Sequence, residues 1–372
     1  MADRIPLSKL CEAIVDCEPK TAPTQSWGIP SIRTTNIKNG RIDFENANRL
    51  SEETYKIWTA RLEPKPGDLI LAREAPVGEV GIIPSNQRAC LGQRTVLIRT
   101  NEQKINSRYL LYLLLTPEMR HEMSCRAEGS TVPHLNMSDI RGLEIPEPPP
   151  LPEQKTIAHI LGTLDDKIEL NQQMNRTLEA IARAIFKSWF VNFDPVRAKM
   201  EGRQPVGMDA ATAHLFPDSF EDSALGKIPK GWGVGTLADI AKNPRCGIKP
   251  ESITSDTPYI GLEHMPRRSI ALSDWGNAAD IASNKFKFYQ GDILFGKLRS
   301  YFHKVGVAAI DGICSTDILV VSPKSPEWFS LVLSYVSSTE FIDYTDATST
   351  GTRMPRTNWQ GLTGKICQST KL

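Results

Sequence analysis

The chain repeats itself, and this constrains its fold more than any other feature. The stretch "GSTVPHLNMSDIRGLEIP" at 129–146 aligns with "GTRMPRTNWQGLTGKICQ" at 351–368, matching Gly129 with Gly351, Pro133 with Pro355, Asn136 with Asn358 and Ile145 with Cys367. Upstream, "PGDLILAREAPVGEVGII" at 66–83 resembles "QGDILFGKLRSYFHKVGVA" at 290–308, with Gly67 and Asp68 opposite Gly291 and Asp292. Further up, "GIPSIRTTNI" at 28–37 corresponds to "DTPYIGLEHM" at 256–265, and Cys90 stands opposite Cys314. The blocks keep their order while the offset drifts only from 228 (256 minus 28) to 222 (355 minus 133). Chance similarity of turn residues accounts for one such block, not for four in order.

Each copy reads as one domain of mixed α/β character. A short opening helix ("LSKLCEAI", "GTLADIAK") is followed by strands through "IPSIR", "GDLILAR", "VGEVGII" and "TVLIR", with a helical stretch at "SRYLLYLLL". A Gly/Thr-rich loop and a final short strand complete the copy. The Gly-Asp pair before "LILA" and "ILFG" is read as a turn feeding a buried strand.

Between the copies lies a second unusual feature. From Ile157 the apolar residues run Leu161, Leu164, Ile168, Leu178, Ile185 and Trp189, stepping by three and four or sums of these, as one helix face requires. Pro152 is tolerated in a first turn, Glu153 complements the helix dipole, and no proline follows before Pro195. A helix from Glu153 to Phe190 would be on the order of 55 Å long. Asn171 and Asn175 interrupt the seam. Two readings stand: a coiled-coil arm whose buried Asn fixes register, or a surface helix whose Asn faces water. After it comes a connector rich in Pro and Gly, "DPVRAKMEGRQPVGMDAATAHLFPDSF", expected to be irregular. The expected domains are therefore 1–150, a spacer helix at 151–198, a connector at 199–232, and a second domain at 233–372.

Composition sets the class of partner. With 40% hydrophobic and 23% charged residues, the 372-residue chain is ordinary globular protein. Lys+Arg 44 against Asp+Glu 43 gives a net charge of +1, so no global field announces nucleic acid, and DNA binding would need local patches or a partner. The cysteines form no CxxC and have no histidine at zinc-finger spacing, so a reduced cytoplasmic protein is expected. The longest apolar run, "YLLYLLL" at 109–115, is about a third of what a bilayer needs, so no membrane span is expected.

Enzyme constellations are absent. There is no GxxxxGK[ST], HExxH or GxSxG. "NFDPV" at 192–196 only superficially resembles an amino-methyltransferase loop, and "DCEPK" at 16–20 lacks the spacing of a metal-dependent nuclease. No catalytic residue and no metal ligand is assigned. What remains is a binder with two similar heads on a rod, a layout suited to a long, regular ligand. Duplex DNA fits, since about 55 Å parallels on the order of 16 base pairs at about 3.4 Å each.

The central run "PPPLPEQKTIAHILGTLDDKIELNQQMNRTLEAIARAIFKSWFVNFDPV", followed by "LGKIPKGW", resembles the central region of specificity subunits of type I restriction-modification systems. The "PPPLPEQ" opening, the "D-x-K-I-x-x-N" turn of helix and the "F-K-S-W-F-x-x-F-x-P" exit carry the likeness. The resemblance implies two homologous target recognition domains of mixed α/β fold, joined by one long coiled-coil-type spacer helix. It implies that each domain reads half of a bipartite, asymmetric site in double-stranded DNA. The helix would dock the methyltransferase (modification) subunits, with the restriction/translocase subunit joining through the complex. Methylation and cleavage would belong to those partners, and S-adenosylmethionine to the methyltransferase subunits, so no cofactor is expected on this chain. Members of the family follow the second domain with another "PLPEQ" helix, whereas this sequence stops at "ICQSTKL". The seam of Ile157, Leu161, Leu164, Ile168, Leu178 and Ile185 is therefore expected to lack an intramolecular partner and to self-pair or to be covered by a partner's helices.

Candidate DNA contacts follow from loop chemistry, since Arg, Lys, Asn, Gln and His read base edges while Ser, Thr and Lys hold phosphates. In the first domain they are Arg33, Thr34, Asn36, Lys38, Arg73, Gln93, Arg94, Ser130, Thr131 and His134. In the second they are His264, Arg267, Arg268, Lys297, Arg299, Tyr301, Thr352, Arg353 and Arg356. The Gly129 and Gly351 loops weigh most, because they keep a common frame while changing the tips, Thr131 against Arg353 and His134 against Arg356. The competing function is a two-headed, non-DNA scaffold that dimerises through its rod, and a weaker one is a self-sufficient nuclease.

Overall fold

The "LILA" strand shows how each domain is built. In the computed structural model Leu69–Ala72 is buried at all four positions, yet its side chains serve two different cores. Leu69 and Leu71 point into a cluster with the helices Ser107–Leu114 and Pro117–Arg126, while Ile70 and Ala72 point into one with Ile32, Ile83 and Leu97. Period-two alternation thus becomes an unbroken apolar run, because both faces are covered. The structure describes residues 3–129, 132–224, 226–279 and 281–364, and the backbone of 366–369.

Two units emerge, Met1–Glu169 and Leu170–Leu372. In the first, the antiparallel sheet has the order Cys11–Asp16, Thr95–Thr100, Leu69–Ala72, Val80–Ile82, with Val96 opposite both Asp16 and Leu71. In the second, the order is Ala241–Lys242, Ile318–Pro323, Ile293–Gly296, Val305–Val307. Phe295 and Ile293 again serve one core and Leu294 the other. The repeat read in the sequence is thus a repeat of topology.

The Gly-Asp pair is a turn in both units. Gly67 and Gly291 adopt φ of 90° and 88°, and the following aspartate caps the turn. Asp68 accepts from the Lys65 N–H (2.8 Å) and from Arg99, while Asp292 accepts from the Tyr289 N–H (2.8 Å) and from the Ser322 hydroxyl (2.5 Å).

Two expectations are corrected. The opening helices are single turns, Leu7–Leu10 and Leu237–Ile240. The next residues become strands, because Cys11–Asp16 gains more from pairing with Thr95–Thr100 than from another helical turn. The connector is also not irregular. It forms helices Asp194–Met200 and Ala210–His214 and a hairpin of Phe220–Ser223 with Gly226–Pro229. Aromatic residues supply its core: Phe193, Phe216 and Trp232 are buried together, with Trp189 and Phe190 packed on them. Phe193 meets Trp232 edge-on at 5.9 Å between ring centroids.

The long helix spans Leu151–Lys187 and continues as a π-helical segment, Ser188–Asn192, that stops at Phe193 with φ of 56°. Its motif residues fasten it to the first unit. Gln154, 1% exposed, accepts from the Asn106 N–H (2.8 Å) and donates to the carbonyls of Pro149 (2.8 Å) and Lys104 (3.2 Å). Asp165 accepts from the Tyr112 hydroxyl (2.7 Å), and Asp166 from Arg108 (3.1 Å). Within the second unit, buried Glu179 accepts from the Ser269 hydroxyl (2.8 Å) and the Ile270 N–H (3.1 Å). On the remaining surface Leu161, Leu164, Ile168, Leu178 and Ile185 are exposed, Leu164 by 58%, while Ile157 is half-buried. Ile160, Leu170, Met174 and Ile181 are exposed as well, so the apolar surface is wider than the seam expected from sequence. No described helix is long and apolar enough to cross a membrane.

Candidate nucleic-acid interface

Three loop segments converge in each unit, and the same backbone hydrogen bonds hold them. In the first unit the loop from Glu128 to His134 closes on itself through Glu128 N–H to His134 O (2.9 Å) and His134 N–H to Glu128 O (2.8 Å). In the second, Thr350 and Arg356 exchange the same pair (3.0 and 2.9 Å). Gly129 and Gly351 start the two loops at φ of 108° and 103°, a region that suits glycine. Each loop is then tied to the segment after the central strand, by Leu135 N–H to Arg73 O (2.9 Å) and by Thr357 N–H to Lys297 O (3.0 Å). The third segment joins through Arg73 N–H to Arg94 O (3.0 Å) and Lys297 N–H to Asp317 O (2.9 Å).

On this shared frame the side chains differ. In the first unit Arg73 pairs with Asp16 (2.7 Å), and Arg94 with Glu74 (2.9 Å). Arg94 adopts φ of 66°, costly for a long side chain and a mark of backbone held by its surroundings. Gln93 donates to the Thr21 hydroxyl (2.7 Å), and His134 is half-buried. In the second unit Arg356 donates through Nε to Asp317 (3.0 Å). Arg299 donates to the Arg353 carbonyl (3.2 Å). Thr352 and Arg353 are exposed, Lys297 is half-buried, and Tyr301 is exposed beside Phe302 at 4.7 Å between ring centroids. The Nε of Arg299 and the hydroxyls of Ser300 and Thr357 are buried with no hydrogen-bond partner among the described residues.

The remaining candidates divide. Arg33 and Lys38 are exposed. Thr34 and Asn36, by contrast, are buried and turned inward: Asn36 accepts from the Arg33 N–H (3.1 Å), and Thr34 donates to the Ala75 carbonyl (3.3 Å). His264 does the same work as Asn36, its Nδ1 accepting from the Gly261 N–H (2.9 Å). Asn36 and His264 thus lock a turn, because a polar side chain three residues on satisfies the N–H at its start, whereas Thr34 ties its turn to the Ala75 carbonyl. Arg267 is exposed, with its guanidinium over the Phe302 ring at 4.1 Å. Arg268 is also exposed, at φ of 57°, and its N–H donates to His303 O (2.9 Å). Ser130 and Thr131 lie outside the described residues.

Sequence reasoning gave no binding role to the carboxylates Asp16, Glu74 and Asp317. Matching Cys90 to Cys314 sets Asp317 opposite Gln93, whereas the backbone bonds set it opposite Arg94. That drift of one residue hid the relationship. Burial pushes the Cys90 and Cys314 thiols up to about 12, away from the reactive thiolate. Among the described residues no group of three His, Cys, Asp or Glu could hold a metal ion.

Comparison with known proteins gives a consistent picture. The family described as "Type I restriction modification DNA specificity domain" matches residues 20–180. The MjaIX type I restriction enzyme specificity subunit of Methanocaldococcus jannaschii is 29% identical over 289 residues, 75% of this chain and 62% of that protein. The HindI specificity subunit of Haemophilus influenzae is 27% identical over 267 residues, 59% of this chain and 58% of that one. The chain thus spans about six-tenths of the length of these relatives. In fold it is similar to the crystal structure of the type I restriction-modification S subunit from M. genitalium, with a TM-score of 0.50 and 15% identity over 100% of this chain and 85% of that one.

Proposed function

We propose that this chain, a homologue of type I restriction enzyme specificity subunits carrying their DNA specificity domain over residues 20–180, is the sequence-reading, non-catalytic subunit of such a complex. The domains at 1–150 and 233–372 each read one half of a bipartite, asymmetric site in duplex DNA. The observation that carries this reading is the three-segment loop frame, repeated bond for bond while the side chains on it change. A constant frame with variable tips is what two readers of different sequences need.

Partners supply the chemistry. The methyltransferase subunits hold S-adenosylmethionine and dock on the helical region, and the restriction/translocase subunit joins through the complex. The exposed stripe of Leu161, Leu164, Ile168, Leu178 and Ile185 is the surface for such association or for pairing with a second copy. Light scattering that finds a soluble monomer at micromolar concentration would count against self-pairing. The two-headed scaffold without DNA finds no support among the relatives.

The test is an electrophoretic shift of random duplex DNA, with and without the methyltransferase subunits. Absence of binding under both conditions would sink the DNA reading. Methylation mapping in the host genome should return a split motif, which gives both half-sites and their spacing.

A further inference from the structure

We infer that the Asp317–Arg356 pair is a guanine reader: Arg356 makes the base contact, and Asp317 is the positioning residue that aims it. The inference rests on the DNA-reading role proposed above and assigns one base contact within it.

Arg356 is fixed from two directions. Its backbone exchanges two hydrogen bonds with Thr350 and forms an isolated bridge with Leu298, so its Cα is held on the central frame. Its Nε donates to Asp317 Oδ1 at 3.0 Å. Asp317 is anchored in turn, its carbonyl accepting from the Lys297 N–H (2.9 Å) and its N–H donating to the Ser315 hydroxyl (3.2 Å). The carboxylate takes Nε, and among the described residues neither terminal nitrogen of the guanidinium has a partner of its own, so the two stand as an end-on fork. That fork matches the O6 and N7 acceptors that guanine alone presents together in the major groove.

Two further points favour a base over a phosphate. The Arg356 and Asp317 side chains are 46% and 28% exposed, and an ion pair so placed adds little to folding, so its orienting effect is what distinguishes it. Moreover, the carboxylate cancels the charge that would draw a phosphate, whereas Lys297 and Arg353, nearby on the same frame, form no ion pair among the described residues. The first unit provides the contrast, since His134 stands at the place of Arg356 and Arg94 at the place of Asp317. The guanine preference should therefore belong to one half-site only.

The test uses the full chain with its modification subunits and a randomised duplex DNA library, comparing the motifs selected by wild type, Asp317→Asn and Arg356→Lys. Wild type should select a bipartite motif with an invariant guanine in one half. Arg356→Lys keeps the charge but loses the fork, and should cut preference for that guanine on the order of 10-fold to 100-fold. Asp317→Asn should relax the same position, while the other half-site stays sharp and reports that the protein is folded. A wild-type motif that both variants reproduce unchanged, or that contains no guanine sensitive to them, overturns this assignment and leaves the DNA reading standing. Failure of wild type to select any motif overturns both.

Discussion

Arg94 and Asp317 occupy the same place in the two units and carry opposite charge. The carbonyl of each accepts the N–H of the first residue after the central strand, Arg73 or Lys297, yet one meets a glutamate and the other an arginine. The duplicated frame thus fixes where an ion pair stands and leaves open which partner is the cation. In the first unit the guanidinium comes from the segment before the Thr95–Thr100 strand, in the second from the closing loop, so the two heads present their arginines from different directions.

Arg94 also holds an unfavourable backbone conformation, φ of 66°, which glycine adopts without penalty. Arg94→Gly should leave thermal stability unchanged or raise it by up to about 1 kcal/mol, while weakening recognition of the first half-site. Melting curves and competition binding of the same variant would show the trade. A large loss of stability would mean that the Glu74 pair, not DNA contact, is what the arginine is there for.

The loop glycines predict a local effect. A Cβ at Gly129 would lie 2.8 Å from the Val132 carbonyl oxygen, and one at Gly351 would lie 3.2 Å from that of Met354, both on backbone with positive φ. Either Gly→Ala change should cost about 1–3 kcal/mol in strain, relieved by opening its own loop. Hydrogen exchange should show faster amides at Glu128 and His134, or at Thr350 and Arg356, with the core strands protected as before.

Two residues on one helix should behave differently. Gln154→Ala removes a buried side chain that makes three hydrogen bonds and strands the Asn106 N–H, at a cost of about 1–3 kcal/mol. Leu164→Ala, on the exposed stripe, should change the stability of the isolated chain by less than about 0.5 kcal/mol. Denaturant titration of both variants checks the contrast, and equal losses would show that the stripe is covered in solution.

Acid should destabilise the second unit through His303. Burial pushes its imidazole below the ordinary value of 6.5, aided by Arg268 and Arg183 and opposed by the Ser337 carbonyl, which the ring meets at 2.8 Å. The unfolded chain therefore takes up this proton first as pH falls. The contribution is complete above about pH 6.5 and is lost as pH drops through the lowered folded value. Melting temperatures followed from about pH 8 to about pH 5 should fall less steeply for His303→Gln than for wild type. An identical slope would rule the histidine out as the source.

Much of the architecture was legible in the chain because its signals are local or repeated. Turn glycines, "LILA" and "ILFG", and the three-four spacing from Ile157 onward each report a conformation that neighbouring residues impose. Interior polar roles were not legible. Asn36 and His264 each accept the N–H three residues earlier, and their residue types serve a turn and a base edge equally well, so the sequence left both uses open. The connector misled for a different reason: its Pro and Gly suggest loop, while its order comes from aromatic rings far apart in sequence, Trp189 with Phe216 and Phe193 with Trp232.

The sequence by itself determined that two homologous α/β domains flank one long helix and that each closes with a glycine-started loop, because periodicity, turn chemistry and internal repetition are properties of the chain in one dimension. Only the tertiary structure decided that Asp317 stands at the place of Arg94 and braces Arg356, and that Gln154 and Asp165 fasten the helix to its domain. Those relations join residues separated by tens of positions through single hydrogen bonds. Such bonds exist only once the strands that carry their partners have packed.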